Sequence, residues 1–395
     1  MDESDRPDLQ LDGSDGGGQF FRSALSLSVL TGKSVEIRDV RGAREDPGLK
    51  SQHVAAAEAL AAIAGADVDG VARGSSTVSF APGDVRPGRY DVDIATAGSA
   101  PLVVDAVLPL ALVAPDPVRL RVAGGTDVKW SPPLSYLRRV KLPLLREVGV
   151  VAAVDAGRRG FYPAGGGEVT LSLGPSVLAR VDLSERGSPR GFRAFATASD
   201  GLADADVAGR LVDAAIEDLD ASRDLDASRG LDAVDGPADS EPDPVVLERV
   251  ERYVDSDCPG ASLVVVRVYR PSEGDSVPGD ERLPEDAFRP TRRLGVGVVG
   301  EPGVSSEAVA SEAVDALRRD ERTGATVDVH LADQLLPFLA VAGGRFNAPR
   351  LSDHLETHLR LLDRFGAPVE STERGDGTVA VSAPGVAPDR WEPNR

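Results

Sequence analysis

The chain of 395 residues has a single cysteine and, among its basic residues, only four lysines: Lys33, Lys50, Lys129 and Lys141. One thiol, Cys258, excludes an internal disulfide and any thiol-rich metal site. No long apolar run is present. The most apolar stretch, 100–115, is short and carries Asp105, so it reads as a buried segment and not a membrane span. The opening residues MDESDRPDLQ are acidic and lack the basic and apolar regions of a signal peptide. A soluble cytoplasmic protein is the expectation. Histidine is scarce as well, with four in all.

Acid is plentiful. Asp and Glu number 64 against 44 Lys and Arg, a net charge of −20. Acidity with so little lysine resembles the proteins of salt-loving organisms, whose carboxylate surfaces hold water. An acidic mesophilic protein from a GC-rich genome is the alternative. Charge of this size bears on solubility, not on fold, and lowers the naive odds of a nucleic-acid partner.

The length suggests two or three domains. Residues 1–10 read as a disordered tail. From residue 11 the pattern runs helix (19–32), strand (34–40), polar loop (41–52), helix (53–66) and strands at 76–83 and 89–96. A similar order follows: helix from 97, strand 117–125, helix 132–149, then a Gly turn and strand over 161–174. From 291 come a strand, a helix (305–320), strand then helix over 326–344, another helix, and a strand at 378–384. An α/β fold built from repeated units is the expectation. The Gly turns at 15–19, 164–168 and 342–345 are candidates for equivalent places in three units. Residues 184–290 differ. LDASR occurs at 219–223 and 225–229, and 229–244 is rich in Asp, Pro and Gly. This region reads as a small inserted α/β domain with a mobile loop near 219–244. The expected organisation is 11–183 for two units, 184–290 for the insert and 291–395 for the third unit.

Three of the four histidines fall in 330–358, HLADQLLPFLAVAGGRFNAPRLSDHLETH. His354 and His358 are four apart, on one face if 354–365 is helical. Imidazole suits nucleophilic or proton-transfer work near neutral pH, although an isolated histidine is more often simply structural. Asp333-Gln334 precedes an apolar run that Ala342-Gly343-Gly344 breaks. DGGGQFFRSAL (15–25) places three glycines at a helix start, where backbone N–H groups can close on an anion, with Arg22 one turn in. VRGAREDPGLKSQH (40–53) adds Arg41, Arg44, Gln52 and His53, and arginine matches phosphate oxygens bidentately. Taken singly, either arginine reads equally well as part of a solvated loop. GGTDVKWSPPLSY (124–136) and RRGFYPAGGG (158–167) complete the set.

These blocks, in this order, resemble the RNA 3′-terminal phosphate cyclase family over about residues 11–385. The resemblance implies three repeated βαβα-type units, as in the enolpyruvyl transferases, with a smaller α/β domain inserted before the third. It implies a ligase-type use of ATP. A histidine attacks the α-phosphate, AMP passes to an RNA 3′-phosphate, and the neighbouring 2′-OH closes a 2′,3′-cyclic phosphate. ATP and Mg²⁺ or Mn²⁺ are the implied cofactors, and RNA with a 3′-phosphate end the implied partner. The nucleophile of the family's S-x-H-x-x-T-N motif falls on His354, and its Asn on His358. The arginine of the Gly-rich motif falls on Arg22, and the pair from the IRAGR loop on Arg41 and Arg44. The QH pair falls on Gln52-His53, and ADQ on Asp333-Gln334. Pro132 and Tyr136 take the places of the adenine-lining proline and aromatic.

Departures are local. G-E-G-G-G-Q becomes Asp15-Gly16-Gly17-Gly18-Gln19, which leaves Asp15 as the candidate metal ligand beside Gln19. Asp105 replaces a usual Gln and needs a metal or an arginine to compensate it near phosphates. His330 stands where some members have Tyr. Three other readings compete. One is a non-catalytic cyclase-like protein of ribosomal RNA processing, which keeps the fold and loses the nucleophile. Another is a metal hydrolase using His354 and His358, whose HLETH lacks the H-E-x-x-H order. The last is an enolpyruvyl transferase sharing fold only.

Overall fold

The computed structural model describes residues 6–228, 245–270 and 292–391. Its chain runs three times through one βαβαββ motif. The first unit is β1 (Leu9–Asp12), α1 (Gly18–Thr31), β2 (Val35–Arg38), α2 (Ser51–Ala64), β3 (Asp67–Asp69) and β4 (Val78–Ala81), in sheet order β1-β2-β4-β3. The second is β5 (Gly88–Asp93), α3 (Ala100–Val107), β6 (Val118–Gly124), α4 (Leu134–Tyr136), α5 (Leu142–Glu147), β7 (Ala152–Arg158) and β8 (Gly167–Leu173), in order β5-β6-β8-β7. A π turn, Leu137–Lys141, joins α4 to α5. In each unit the first two strands are parallel and the rest antiparallel. A helix between the parallel strands makes the crossover such pairs require.

The third unit opens with β9 (Val181–Leu183) and is then interrupted. The intervening chain forms its own sheet from β10 (Ser188–Ser199), β11 (Val245–Val254), β12 (Ala261–Arg270) and β13 (Arg292–Val299), in order β11-β10-β12-β13. Helices α6 (Val207–Ser228) and α7 (Ser306–Arg322) accompany it. The unit resumes with α8 (Val329–Gln334), α9 (Leu336–Ala342), β14 (Gly344–Ala348), α10 (Asp353–Phe365), β15 (Glu370–Glu373) and β16 (Val379–Ala383). Its sheet, β15-β16-β14-β9, repeats the other two, with β9 parallel to β14.

The insert is fused to the body. Alternate side chains of β12 serve two cores: Leu263 and Val265 pack with Val309, Ala313 and Leu317 of α7, while Val264, Val266 and Val268 join the main core. Period-two alternation sends neighbours to opposite faces, so one strand seals both layers. At the centre, α1 buries Phe21, Leu25 and Leu27 and ends at Gly32 in the left-handed region.

Several expectations are corrected. Residues 9 and 10, assigned to a disordered tail, form β1, because Leu9 and Leu11 bury and the backbone pairs with Val35–Arg38. The insert does not end at 290, since β13 and α7, assigned to the third unit, complete its sheet. The third unit in turn begins at β9. Residues 219–228 continue α6 rather than a loop, and 229–244 lie outside the described residues. The strand expected at the start of 326–344 is absent: Asp328 caps α8 by accepting from His330 and Leu331 N–H groups, both at 3.0 Å. The three Gly turns are not equivalent. One precedes α1, one precedes β8 and one precedes β14. No described helix is long and apolar enough to cross a membrane.

Candidate active site

The N-termini of α1 and α10 open into one cavity of about 720 Å³. Its wall takes Asp15, Gly17, Gln19 and Ser23 from the α1 end and Arg44 from the following loop. Arg350, His354, Glu356 and Thr357 come from the α10 end. The N-cap of α1, Gly17, makes no side-chain capping bond, so its first amides are left to an anion. Ser352 caps α10 by accepting from Leu355 N–H at 3.2 Å.

His354 sits in the first turn of α10 with its imidazole exposed. Desolvation, then the neighbouring His330, Arg22 and Arg44, pulls its pKa below the ordinary value. His358, one turn on, lines the same cavity. It is buried, neither ring nitrogen has a hydrogen-bond partner, and burial drops its pKa to about 4. Among the described residues no three His, Cys, Asp or Glu side chains are grouped to hold an ion.

Behind the α1 end lies a layer of buried polar groups. Arg22 makes no hydrogen bond or ion pair among the described residues. Burial lowers its pKa to about 10 against the pull of Asp105 and Asp333. A buried guanidinium without a partner is a strong demand for an anion. His53 accepts the Lys50 N–H at Nδ1, at 3.0 Å, and burial first, then Arg22, Arg41 and Lys50, hold its pKa near about 2. A neutral ring accepting at Nδ1 carries its proton on Nε2, and Nε2 is directed at the start of α1. There Gly18 is obligatory: a Cβ on it would come 2.1 Å from His53 Nε2. Gly18→Ala is expected to displace His53 or the helix start. It should lower the stability by about 1–3 kcal/mol and weaken anion binding at the turn, read by thermal denaturation with and without ATP.

Asp333 accepts from Gln19 Nε2, and burial, reinforced by Asp105, raises its pKa to about 8. Asp105 lies close enough to Arg22 to act on its charge. Its partner is Lys141, which is 2% exposed.

The other sequence-chosen residues are placed as follows. Gln52 accepts the Ser99 N–H at 2.9 Å, tying α2 to the cap of α3. Arg41, with φ 57, gives Nη1 to the carbonyls of Asp46 and Gly48 and so braces its own loop, while Arg44 lines the cavity. Tyr136 lies in the core. It is buried, donates to Asp328 Oδ1 at 2.6 Å, and meets His330 edge-on at 5.8 Å. His330 is the less buried ring of that pair, with Pro132 also part-exposed and Gln334 half-buried at the end of α8. Reading from sequence missed Lys141, Arg350, Glu356 and Thr357. Lys141 had a signal, being one of four lysines and set in an apolar helix; Arg350 had none.

The chain matches the family model described as RNA 3′-terminal phosphate cyclase over residues 14–369. Proteins named RNA 3′-terminal phosphate cyclase are similar to it. That of Halobacterium salinarum is 39% identical over 384 residues, covering 94% of this chain and 99% of its own. That of Ectopseudomonas mendocina is 37% identical, covering 90% and 92%. That of Pyrococcus furiosus is 33% identical, covering 93% and 96%.

Proposed function

The chain belongs to the RNA 3′-terminal phosphate cyclase family, and from that membership we propose that it uses ATP to convert an RNA 3′-phosphate to a 2′,3′-cyclic phosphate, with His354 carrying AMP. The observation that carries the assignment is the position of His354. Its imidazole is neutral at pH 7 and faces a cavity framed by two helix N-termini.

A ring nitrogen of His354 attacks the α-phosphorus of ATP, the bond to the bridging oxygen breaks, and pyrophosphate leaves. An oxygen of the RNA 3′-phosphate then takes AMP from the imidazole. The 2′-OH closes on the 3′-phosphorus with loss of AMP, a step made intramolecular by the ribose. Arg22, the free amides of α1 and the Nε2–H of His53 would hold phosphate oxygens, with Arg44 at the mouth. His330 and Pro132 offer surfaces for the base. Asp15 is a carboxylate on the cavity wall, with Asp353 and Glu356 across from it on the α10 end, and would suit a Mg²⁺ or Mn²⁺ ion taking most of its ligands from nucleotide phosphates and water. Such an ion would neutralise triphosphate charge.

ATP labelled at the α-phosphate should leave acid-labile label on the protein, and unlabelled RNA 3′-phosphate should discharge it. Absence of protein-bound label rejects the histidine route. The labelling rate should follow a bell in pH. His354 is lost as a nucleophile as pH falls through its depressed pKa, so the acid limb lies below pH 6.5. Asp333 ionises as pH rises past about 8, placing a second negative charge beside Asp105 where phosphate must bind. In Asp333→Asn the alkaline limb should vanish while the acid limb stays.

A further inference from the structure

Trp130 and Tyr162 lie against each other on the surface, 90% and 44% exposed, with ring centroids 6.5 Å apart at 78°. The other exposed large hydrophobic side chains among the described residues are all valines. Lys129 Nζ lies 5.7 Å from the Tyr162 ring centroid and pairs with Glu301 at 2.8 Å. Trp130 itself has φ 62, a costly conformation for a non-glycine residue. The next residue anchors it: Ser131 Oγ lies 2.6 Å from Oγ of Ser99, the same cap that Gln52 ties to α2. The chain thus holds a strained, solvent-facing indole in place beside a second aromatic ring.

A second cavity, of about 490 Å³, opens between β7 and the inserted strands β10 and β11. Arg138, Arg139, Arg158, Arg159 and Arg252 line it, with Phe195. Arg158 pairs with Asp255 and Asp257, Arg159 with buried Asp127, and Arg139 lies over the Phe195 ring at 4.5 Å. Arg138 and Arg252 have no hydrogen bond or ion pair among the described residues. Burial, then Arg139, Arg159 and Arg252, lowers the pKa of Arg138. Five arginines gathered so closely in a chain of charge −20 call for a polyanion.

The two features share their carriers. Residues 129–139 supply Trp130, Arg138 and Arg139, and 158–162 supply Arg158, Arg159 and Tyr162. Asp127 joins them, accepting from Arg159 at 2.6 Å and, through its carbonyl, from Tyr162 N–H at 3.4 Å. The helical run bearing Arg138 and Arg139 also carries Tyr136 and Lys141, which pack behind the first cavity.

We propose that the Trp130–Tyr162 pair and the arginine cleft beside it form a track for the single-stranded RNA that precedes the reacting 3′ end. Bases stack on the aromatic pair, and backbone phosphates meet Arg138 and Arg252. The proposal rests on the RNA reading above, and it is tested by binding rather than by turnover. Trp391, the other tryptophan, is buried with its Nε1 bonded to the Val386 carbonyl, so quenching of fluorescence reports Trp130. A 3′-phosphorylated hexauridylate titrated into the full-length parent should quench it, and the fluorescence anisotropy of the same RNA carrying a 5′-fluorescein gives Kd for the parent and for variants that lack the indole. Trp130→Ala should raise Kd roughly tenfold, as loss of one stacked base does, and Trp130→Phe should largely restore binding. Arg138→Gln with Arg252→Gln should raise Kd and flatten its salt dependence by about one to two phosphate contacts. Protein labelling by ATP alone should be unchanged in all three. Absence of quenching, or a Kd within about twofold of the parent in either the alanine or the double variant, would overturn the proposal. So would displacement of the RNA by inorganic phosphate at equal concentration. Failure of the cyclase reading shows separately, as a parent protein that binds RNA but takes no label.

Discussion

His354→Ala is expected to abolish protein labelling by ATP and to reduce cyclisation by about 10⁴-fold or more, the loss typical of removing a covalent nucleophile. No other side chain is placed to take over. His358 and His53 are buried, their pKa values depressed by that burial, and His330 packs edge-on against Tyr136. The substitution touches an exposed first-turn position, so the fold and ATP binding should persist, as thermal shift with ATP would show. A variant that still takes acid-labile label would move the nucleophile elsewhere.

The second large effect is on stability. Lys141→Met removes the cation that neutralises Asp105 beneath the cavity, where Asp333 already stands close. Breaking a fully buried pair from one side costs about 3–5 kcal/mol; Asp105 is part-exposed and near Arg22, so the expected loss is at or below the low end of that range. Urea denaturation should show that loss for Lys141→Met. Adding Asp105→Gln should recover most of it, since an amide carries no charge to strand. Equal stability of the single variant and the parent would mean that the pair is solvated and dispensable.

Most of the first two units was legible in the sequence from their alternation of helix and strand periods, but β1, β3 and β7 were not read as strands. The third unit was not legible. Its opening strand spans only Val181–Leu183, too short for a periodic signal, and its partner strand lies far along the chain. β13 and α7 then read as the resumption of the repeat, since a strand followed by an amphipathic helix looks alike in either sheet. In 326–344 the β-branched start suggested a strand, but the carboxylate of Asp328 offered the backbone a better arrangement as a helix cap.

The site divides in the same way. His354, the Gly-rich turn and the loop arginines stood out by residue type. Their roles relative to one another depended on packing: Arg41 serves its loop, while Arg44 reaches the cavity. The family resemblance gives Tyr136 the place of the adenine-lining aromatic, and residue type alone does not separate that role from a place in the core. Only burial and the bond to Asp328 separate the two.

The division of the third unit bears on synthesis. β9 leaves the ribosome roughly 160 residues before β14, an interval of about 8–30 s at 5–20 residues per second. For that time its pairing edge waits while the inserted sheet folds in between. The cavity needs α10 near the far end of the chain, so a nascent protein can complete two units and the insert yet lack one wall of it. The cavity is thereby left open until α10 docks.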